Sequence, residues 1–334
     1  MPDVRSGDSV KALLLGDLHL SDRPPSLRHS TYVDEILDKV AWCVHLAASR
    51  KVDVIVSAGD VYHIKSPGRT THRLVQRTHE VLTAAGIPVL VVPGNHDMQH
   101  DRLDSLDSQP LGSLCRMEGI DLLIGGHESL PVFGLPYLQN WAGDLYDWME
   151  QWQEFADKHW LGQDEFPLLV THAPIFPSDE DPPYETIDAA DWAELMGKGA
   201  CLYGHIHDQH GLYVPDPSQA VVLCNNGALS RGSLHEATLK RKPLVTIFDS
   251  EAKFPDMFEA IEVPHLPAEE VFSLAAKAES DGAQQKLTDF LTGLDAVQAE
   301  SVEQVSAHIA TLDVDKEVRT KAIELVEAAM GVHT

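Results

Sequence analysis

At 334 residues the chain has room for one large α/β domain with an appendage, or for two modest domains, on a scale of roughly 100 to 200 residues per domain; a peptide hormone or a minimal module is excluded. Lys and Arg number 25 against 52 Asp and Glu, a formal net charge of −27, which argues against a charge-driven grip on nucleic acid or an anionic membrane by the chain as a whole. The composition is 43% hydrophobic with no apolar run of about 18 residues, so no bilayer-spanning helix and no membrane role are expected, and the first residues lack the basic-then-apolar pattern of a secretory signal, so the expected location is cytoplasmic.

Along the first 250 residues, short β-branched and aliphatic runs end at a Gly and lead into amphipathic stretches, the pattern of stacked βα units. Strands are expected at 12–15, 52–56, 89–92, 168–171, 201–203, 221–224 and 244–248, the last few as antiparallel neighbours. Helices are expected over 31–49 and 69–85. Trp141, Tyr146, Trp148, Trp152, Phe155 and Trp160 recur at helical spacing, which favours a helix packed on the sheet over a base-stacking platform. The acidic, proline-containing stretch 178–183 reads as an exposed loop. Cys43, Cys115, Cys201 and Cys224 form no C-x-x-C pair and read as reduced small side chains.

From residue 251 the composition changes. Residues 251–334 hold 17 acidic and 6 basic side chains, net −11 over 84 positions, and read as several short helices. The last of them sets Val318, Ala322, Leu325, Val326 and Ala329 on one face, either an internal packing surface or a docking stripe. The expected architecture is an α/β sandwich of mixed sheets with helices on its outer faces over 1–250, followed by a small helical region over 251–334.

Five segments place hard oxygen ligands and imidazoles where a strand has just ended: Asp17-Leu18-His19, Gly59-Asp60, Gly94-Asn95-His96-Asp97, His172, and Gly204-His205-Ile206-His207. Asp17 and His19 are two apart on an extended chain and so share a face, as do His205 and His207. Carboxylate, amide and imidazole without thiolate suit two divalent cations of the Mn, Fe or Zn type rather than a structural zinc. In four of the five a Gly comes first and lets backbone approach the metals closely without a Cβ clash.

These motifs, in this order, resemble the calcineurin-like metallophosphoesterase superfamily over roughly residues 11–250. The resemblance implies a four-layer α/β sandwich with mixed β-sheets and two divalent metal ions, Mn²⁺ first, with Fe, Zn or Mg as alternatives. It implies one metal on Asp17, His19, Asp60 and His207, and a second on Asp60, Asn95, His172 and His205, with Asp60 bridging. His96 would protonate the leaving oxygen or steady the phosphate, and Asp97 would orient His96; read alone, Asp97 could equally cap a helix over 98–106.

The flanks narrow the substrate. Gly59-Asp60-Val61-Tyr62-His63 followed by Ser66-Pro67 and Arg69 looks like the SbcD-type DNA double-strand-break repair nucleases. That likeness implies a DNA exonuclease or endonuclease acting at duplex ends and hairpins, with His63 positioning the strand end. It implies an SbcC-type ABC ATPase as partner, and the acidic net charge points to such a partner, a second copy of the chain or a local basic rim for the hold on DNA. The stretch 224–236 is similar to that family's N-P-G-S-x-x-R segment, with Asn226 where Pro is usual; Arg231 would meet a backbone phosphate, as would Arg69, or else Arg231 is a solvated turn residue. The alternatives are a phosphodiesterase or phosphatase for small nucleotides or phosphoproteins, and a metal-binding scaffold without turnover.

Overall fold

In the chain, each buried strand reads as an unbroken apolar run because it has layers on both faces, and the side-chain period of two then sends alternate residues to different cores. The computed structural model describes residues 9–25, 27–63, 67–159, 166–177, 185–215, 221–232, 240–253, 256–274, 309, 319–321 and 323. Among them, β1 (Lys11–Leu15), β2 (Val54–Ser57), β3 (Val89–Val91) and β4 (Ile120–Leu122) run parallel in one sheet. Strand β13 (Leu244–Asp249) adds antiparallel to β1, and β14 (Phe258–Glu262) antiparallel to β13.

The second sheet has the order β11 (Gly211–Tyr213), β12 (Val221–Asn225), β10 (Gly199–Tyr203), β7 (Leu168–Thr171), β6 (Val132–Leu135), β5 (Gly125–Gly126). Its four central strands are parallel and its two edge strands antiparallel. A small parallel pair, β8 (Ile175–Phe176) and β9 (Ile187–Asp188), completes the described strands. The stretch 221–224 is therefore a parallel neighbour of 201–203, and 244–248 lies in the other sheet, where antiparallel adjacency was expected from short spacing.

Ala12, Leu14, Val54, Val56 and Leu90 meet Leu168, Val170, Ala200, Leu202 and Val222 between the sheets. Leu13, Leu15, Ile55, Val89 and Val91 point the other way, onto α1 (Tyr32–Arg50), α2 (His72–Leu82) and α3 (Pro110–Leu114). On the far side, Leu169, Cys201 and Leu223 pack on α4 (Trp141–His159) and α5 (Ala189–Met196). The result is helix, sheet, sheet, helix: the expected four-layer α/β sandwich with mixed sheets.

Helix α1 forms because Ile36, Val40, Cys43, Val44 and Ala47 recur at helical spacing and are buried, and it stops at Lys51 in the left-handed region. Helix α2 begins where the Thr71 side chain accepts from the Leu74 amide. Helix α4 carries the tryptophan series as expected of a packed helix: Trp152 is fully buried and its Nε1 donates to the Met196 carbonyl at 3.0 Å, while Tyr146 stays exposed. Trp160 and the loop 178–183 lie outside the described residues.

The first compact unit runs through Phe272 and the second spans Ser273–Thr334. The composition-based boundary at 250 falls short of this because β14, expected among helices, extends the first sheet, and a short helix, α6 (Ala268–Val271), follows it. The stripe Val318 to Ala329 lies outside the described residues apart from positions 319–321 and 323 between its members. No described helix is long and apolar enough to cross a membrane. The four cysteines are free thiols, three buried and Cys115 partly so.

Candidate metal centre

The carboxyl ends of β1, β2 and β3 in one sheet and of β7 and β10 in the other open onto one mouth, which draws residues 17, 60, 95, 172 and 205 together from across the chain. His19, Asp60 and His205 have positive φ, at 48°, 49° and 71°. Side chains avoid that region at a cost of about 1–3 kcal/mol each, and such strain concentrates at functional sites.

Two groups of ligand atoms result. In the first, one ligand atom each from Asp17, His19, Asp60 and His207 lies within 4.8 Å of the others. The Nε2 atoms of His19 and His207 are 2.8 Å apart, and His207 Nε2 is 3.6 Å from Asp17 Oδ2. In the second, Asn95 Oδ1 lies 3.2 Å from His172 Nε2 and 3.1 Å from His205 Nδ1.

Asp60 joins them. Its Oδ1 accepts the His96 amide at 2.9 Å, which leaves Oδ2 facing His19 Nε2 at 3.6 Å and His172 Nε2 at 3.3 Å. His172 Nδ1 donates to the Ala58 carbonyl at 2.7 Å, so its Nε2 is the nitrogen turned to the site. All of Asp17, His19, Asp60 and His172 are at most 3% exposed, whereas the His207 side chain is 48% exposed at the rim.

Glycines make room for the carboxylates themselves. A Cβ on Gly94 would sit 2.2 Å from Asp60 Oδ1, and one on Gly204 would sit 2.5 Å from Asp17 Oδ1.

Burial pushes Asp17 up to about 8, with the charge of Asp60 adding to it, and pushes Asp97 up to about 7 in the same way. Burial also disfavours charge on Asp60, but His172, then His19, outweigh it and hold that carboxyl well below its usual range. Burial would lower His172, yet Asp60 and Asp17 raise it to about 9; His205, buried and beside His172, falls to about 3.

The residues fit such cations. Asp17 Oδ1 is buried without a hydrogen-bond partner, the donor set is mixed carboxylate, amide and imidazole, and the glycine cradle holds the carboxylates inward. Asp17, His19, Asp60 and His207 could hold one ion, and Asp60, Asn95, His172 and His205 a second.

Beside the ligand groups, His63 Nδ1 lies 3.4 Å from His19 Nδ1, and His19, His63 and His96 form a cluster of their own. Asp97, expected to orient His96 or to cap a helix, does neither: its Oδ2 accepts the Gly94 amide at 3.0 Å and its Oδ1 the Tyr62 amide at 3.4 Å, and short 3-10 turns follow at Gln99–Asp101 and Leu103–Ser108. His96 Nδ1 donates instead to the His63 carbonyl at 2.7 Å.

Arg231, expected at the substrate, is 2% exposed and turned inward, its Nη2 donating to the Leu266 carbonyl at 2.7 Å. A guanidinium so buried cannot meet a phosphate at the mouth. Arg69 is exposed at the end of the turn Pro67–Arg69.

Tyr137 was assigned no role in the sequence. Its ring is 5.4 Å from His205 and its amide donates to the Pro93 carbonyl at the end of β3, so it walls the second ligand group. The available signal was its place just after an apolar run, 132–135, which is strand β6.

The calcineurin-like phosphoesterase family profile matches residues 10–209, more than half of the chain. Two archaeal proteins described as DNA double-strand break repair protein Mre11 are similar. That of Saccharolobus solfataricus is 30% identical over 139 residues, 39% of this chain and 34% of the relative; that of Aeropyrum pernix is 34% identical over 105 residues, 31% of this chain and 25% of the relative. The match thus spans about a third or less of those relatives' length. A dimetal phosphatase structure from Danio rerio aligns with a TM-score of 0.47 at 14% identity, over 76% of this chain and 99% of its own.

Proposed function

The chain belongs to the calcineurin-like phosphoesterase family and is a metal-dependent phosphoesterase, and from that premise we propose that it is a Mn²⁺-dependent nuclease hydrolysing phosphodiester bonds at DNA ends. The observation that carries the reading is the placement of His63. It stacks on His96, 5.3 Å between ring centroids and 16° from parallel, at the edge of the ligand groups, where a strand end entering the mouth would meet it. The partial similarity to the two proteins described as DNA double-strand break repair proteins supports the same substrate class.

Two divalent cations bound in these ligand groups would supply polarisation of a phosphoryl oxygen and ionisation of a water at neutral pH. Asp60, whose carboxylate faces both His19 and His172, would help to hold both ions. His96 keeps Nδ1 engaged with the His63 carbonyl, which leaves Nε2 to carry the proton for the leaving oxygen. His63 would position the DNA terminus against His96. Tyr137 and Trp141, with rings 5.7 Å apart, would limit water on the His205 side.

Asp17 and Asp60 contribute two negative charges against four positive ones from two such ions, so the mouth can hold a phosphate despite the net charge of −27. On this reading, tight sequence-independent hold on DNA comes from a second subunit, an SbcC-type ATPase or a second copy of the chain. The test is purified protein with Mn²⁺ on end-labelled duplex and hairpin DNA, bis-p-nitrophenyl phosphate and cyclic nucleotides. Cleavage of DNA ends is expected. Activity confined to the small diesters, even with an ATPase partner supplied, would sink the nuclease reading in favour of a small-molecule phosphodiesterase.

A further inference from the structure

Helix α1 carries buried polar groups where a helix packed on a sheet ordinarily carries apolar ones. Tyr32, Glu35 and Lys39, spaced i, i+3 and i+7, are 1%, 7% and 2% exposed. Taking the charges of Glu35 and Lys39 out of water is unfavourable unless specific contacts offset it. Here the contacts lead to the backbone of the site loops. The Tyr32 hydroxyl donates to the His19 carbonyl at 2.9 Å. Lys39 Nζ donates to the Leu229 carbonyl at 3.0 Å, and the Leu229 amide donates to the Asp17 carbonyl at 2.8 Å.

Glu35 gathers the cations. Its Oε1 is 2.6 Å from Lys39 Nζ and 3.5 Å from Arg231 Nη2, and its Oε2 pairs with Arg28. Both arginines reach a distant segment. Arg231 Nη2 donates to the Leu266 carbonyl, and the Arg28 guanidinium lies over the rings of Tyr32 and Phe272 at 4.8 and 4.9 Å. The His29 amide donates to the Val271 carbonyl at 3.1 Å, and Arg28 pairs with Phe272 through its backbone.

We infer that this buried network is a positioning device: Tyr32, Glu35 and Lys39 set the backbone that presents Asp17 and His19, and Arg28 and Arg231 couple segment 266–272 to that backbone. His19 sits at φ 48°, and the bond to its carbonyl holds it in a conformation it would otherwise leave. Three cations share one carboxylate, the remainder of their charge facing the carbonyls of Leu229 and Leu266, so no member can swing away without stranding buried charge. A change at 266–272 therefore alters metal affinity at 17–19 without touching a ligand. The inference rests on the metal-centre reading and is independent of DNA as substrate.

The test is Mn²⁺ binding to the purified full chain by calorimetry, with amide hydrogen exchange at residues 18–20 of the metal-free protein as a second readout. Glu35→Gln risks misfolding, so Tyr32→Phe, which removes one oxygen, and Phe272→Leu, which removes the ring under Arg28, are the informative variants. Each is expected to bind Mn²⁺ about 10- to 100-fold more weakly, the range found when groups supporting metal ligands are altered, and to exchange faster at 18–20. Phe272→Tyr is expected to restore both. Affinity and exchange unchanged in the two folded variants would overturn the inference, and a loss in Tyr32→Phe with Phe272→Leu unchanged would overturn the coupling. If the wild-type chain bound no Mn²⁺, the metal reading would fail while the exchange measurement still decided whether the network holds the loop.

Discussion

The Nδ1 of His96 donates to the backbone carbonyl of His63 across 2.7 Å, and the two imidazoles stack 16° from parallel. One bond thereby settles which nitrogen of His96 is available for chemistry. His96→Ala is expected to keep Mn²⁺ binding and to lower hydrolysis of bis-p-nitrophenyl phosphate by about 10²- to 10⁴-fold, the usual weight of a proton-transfer group. Calorimetry and steady-state rates on one preparation check it, and unchanged turnover would remove His96 from the acid role.

His63 touches the ligand groups through a ring, not a carboxylate, with its Nδ1 3.4 Å from His19 Nδ1. His63→Ser should spare Mn²⁺ affinity while depressing cleavage at DNA ends about 100-fold, because a small misplacement of the reacting group is enough for such a loss. Small diesters, which need no strand end positioned, should be hydrolysed nearly as before. Parallel loss of metal and activity would make His63 a ligand instead.

Gly94→Ala places a methyl group 2.2 Å from Asp60 Oδ1. The methyl would also lie 2.6 Å from the Asp60 backbone nitrogen, so the turn must shift, at about 1–3 kcal/mol for overpacking, and Mn²⁺ affinity should fall about 5- to 150-fold. Gly68→Ala, at a position with no atom within 4 Å of the added methyl among the described residues, is the control and should bind Mn²⁺ as the wild type does.

Glu35 links the acid stability of the fold to the α1 network. Burial disfavours its charge, but Lys39 and then Arg28 outweigh burial and hold the carboxyl below its ordinary value of 4.5. A depressed folded-state value means that its stabilisation is present above pH 4.5 and is lost as pH falls through the folded value. Glu35→Gln is therefore expected to cost about 3–5 kcal/mol at pH 7, the range for removing one partner of a buried pair, and distinctly less at pH 3. Denaturant melts of the metal-free proteins at both pH values check this, and an equal cost at both would refute it.

Much of the site was legible before any coordinates because each candidate ligand lies within a few residues of a strand end that its own local pattern announces. Val54 to Val56 is apolar and β-branched before Gly59-Asp60 interrupts the run, and Val89 to Val91 is apolar until Pro93-Gly94-Asn95 does. Which partner each group takes was not legible. Asp97 and His63 are far apart in sequence and compete for His96, and only the packing of the turn after β2 against that after β3 gave the bond to the His63 carbonyl. Strand direction was misread for the same reason, since 221–224 pairs with 201–203 according to how the intervening chain crosses, which spacing alone does not specify.

The amino-acid sequence by itself determined the chemistry on offer, carboxylates, amide and imidazoles at successive strand ends, because those positions follow from local hydrophobic runs and the residues that break them. Tertiary structure alone decided which charges face the mouth and which are sealed beneath it. Arg231 reads in the chain as a phosphate-facing or solvated cation, yet it is buried against Glu35 of α1 and the Leu266 carbonyl, and Lys39, on α1 itself, is turned inward onto Glu35 and the Leu229 carbonyl. A side chain's burial depends on what the rest of the fold lays against it, and that is a property no local pattern contains.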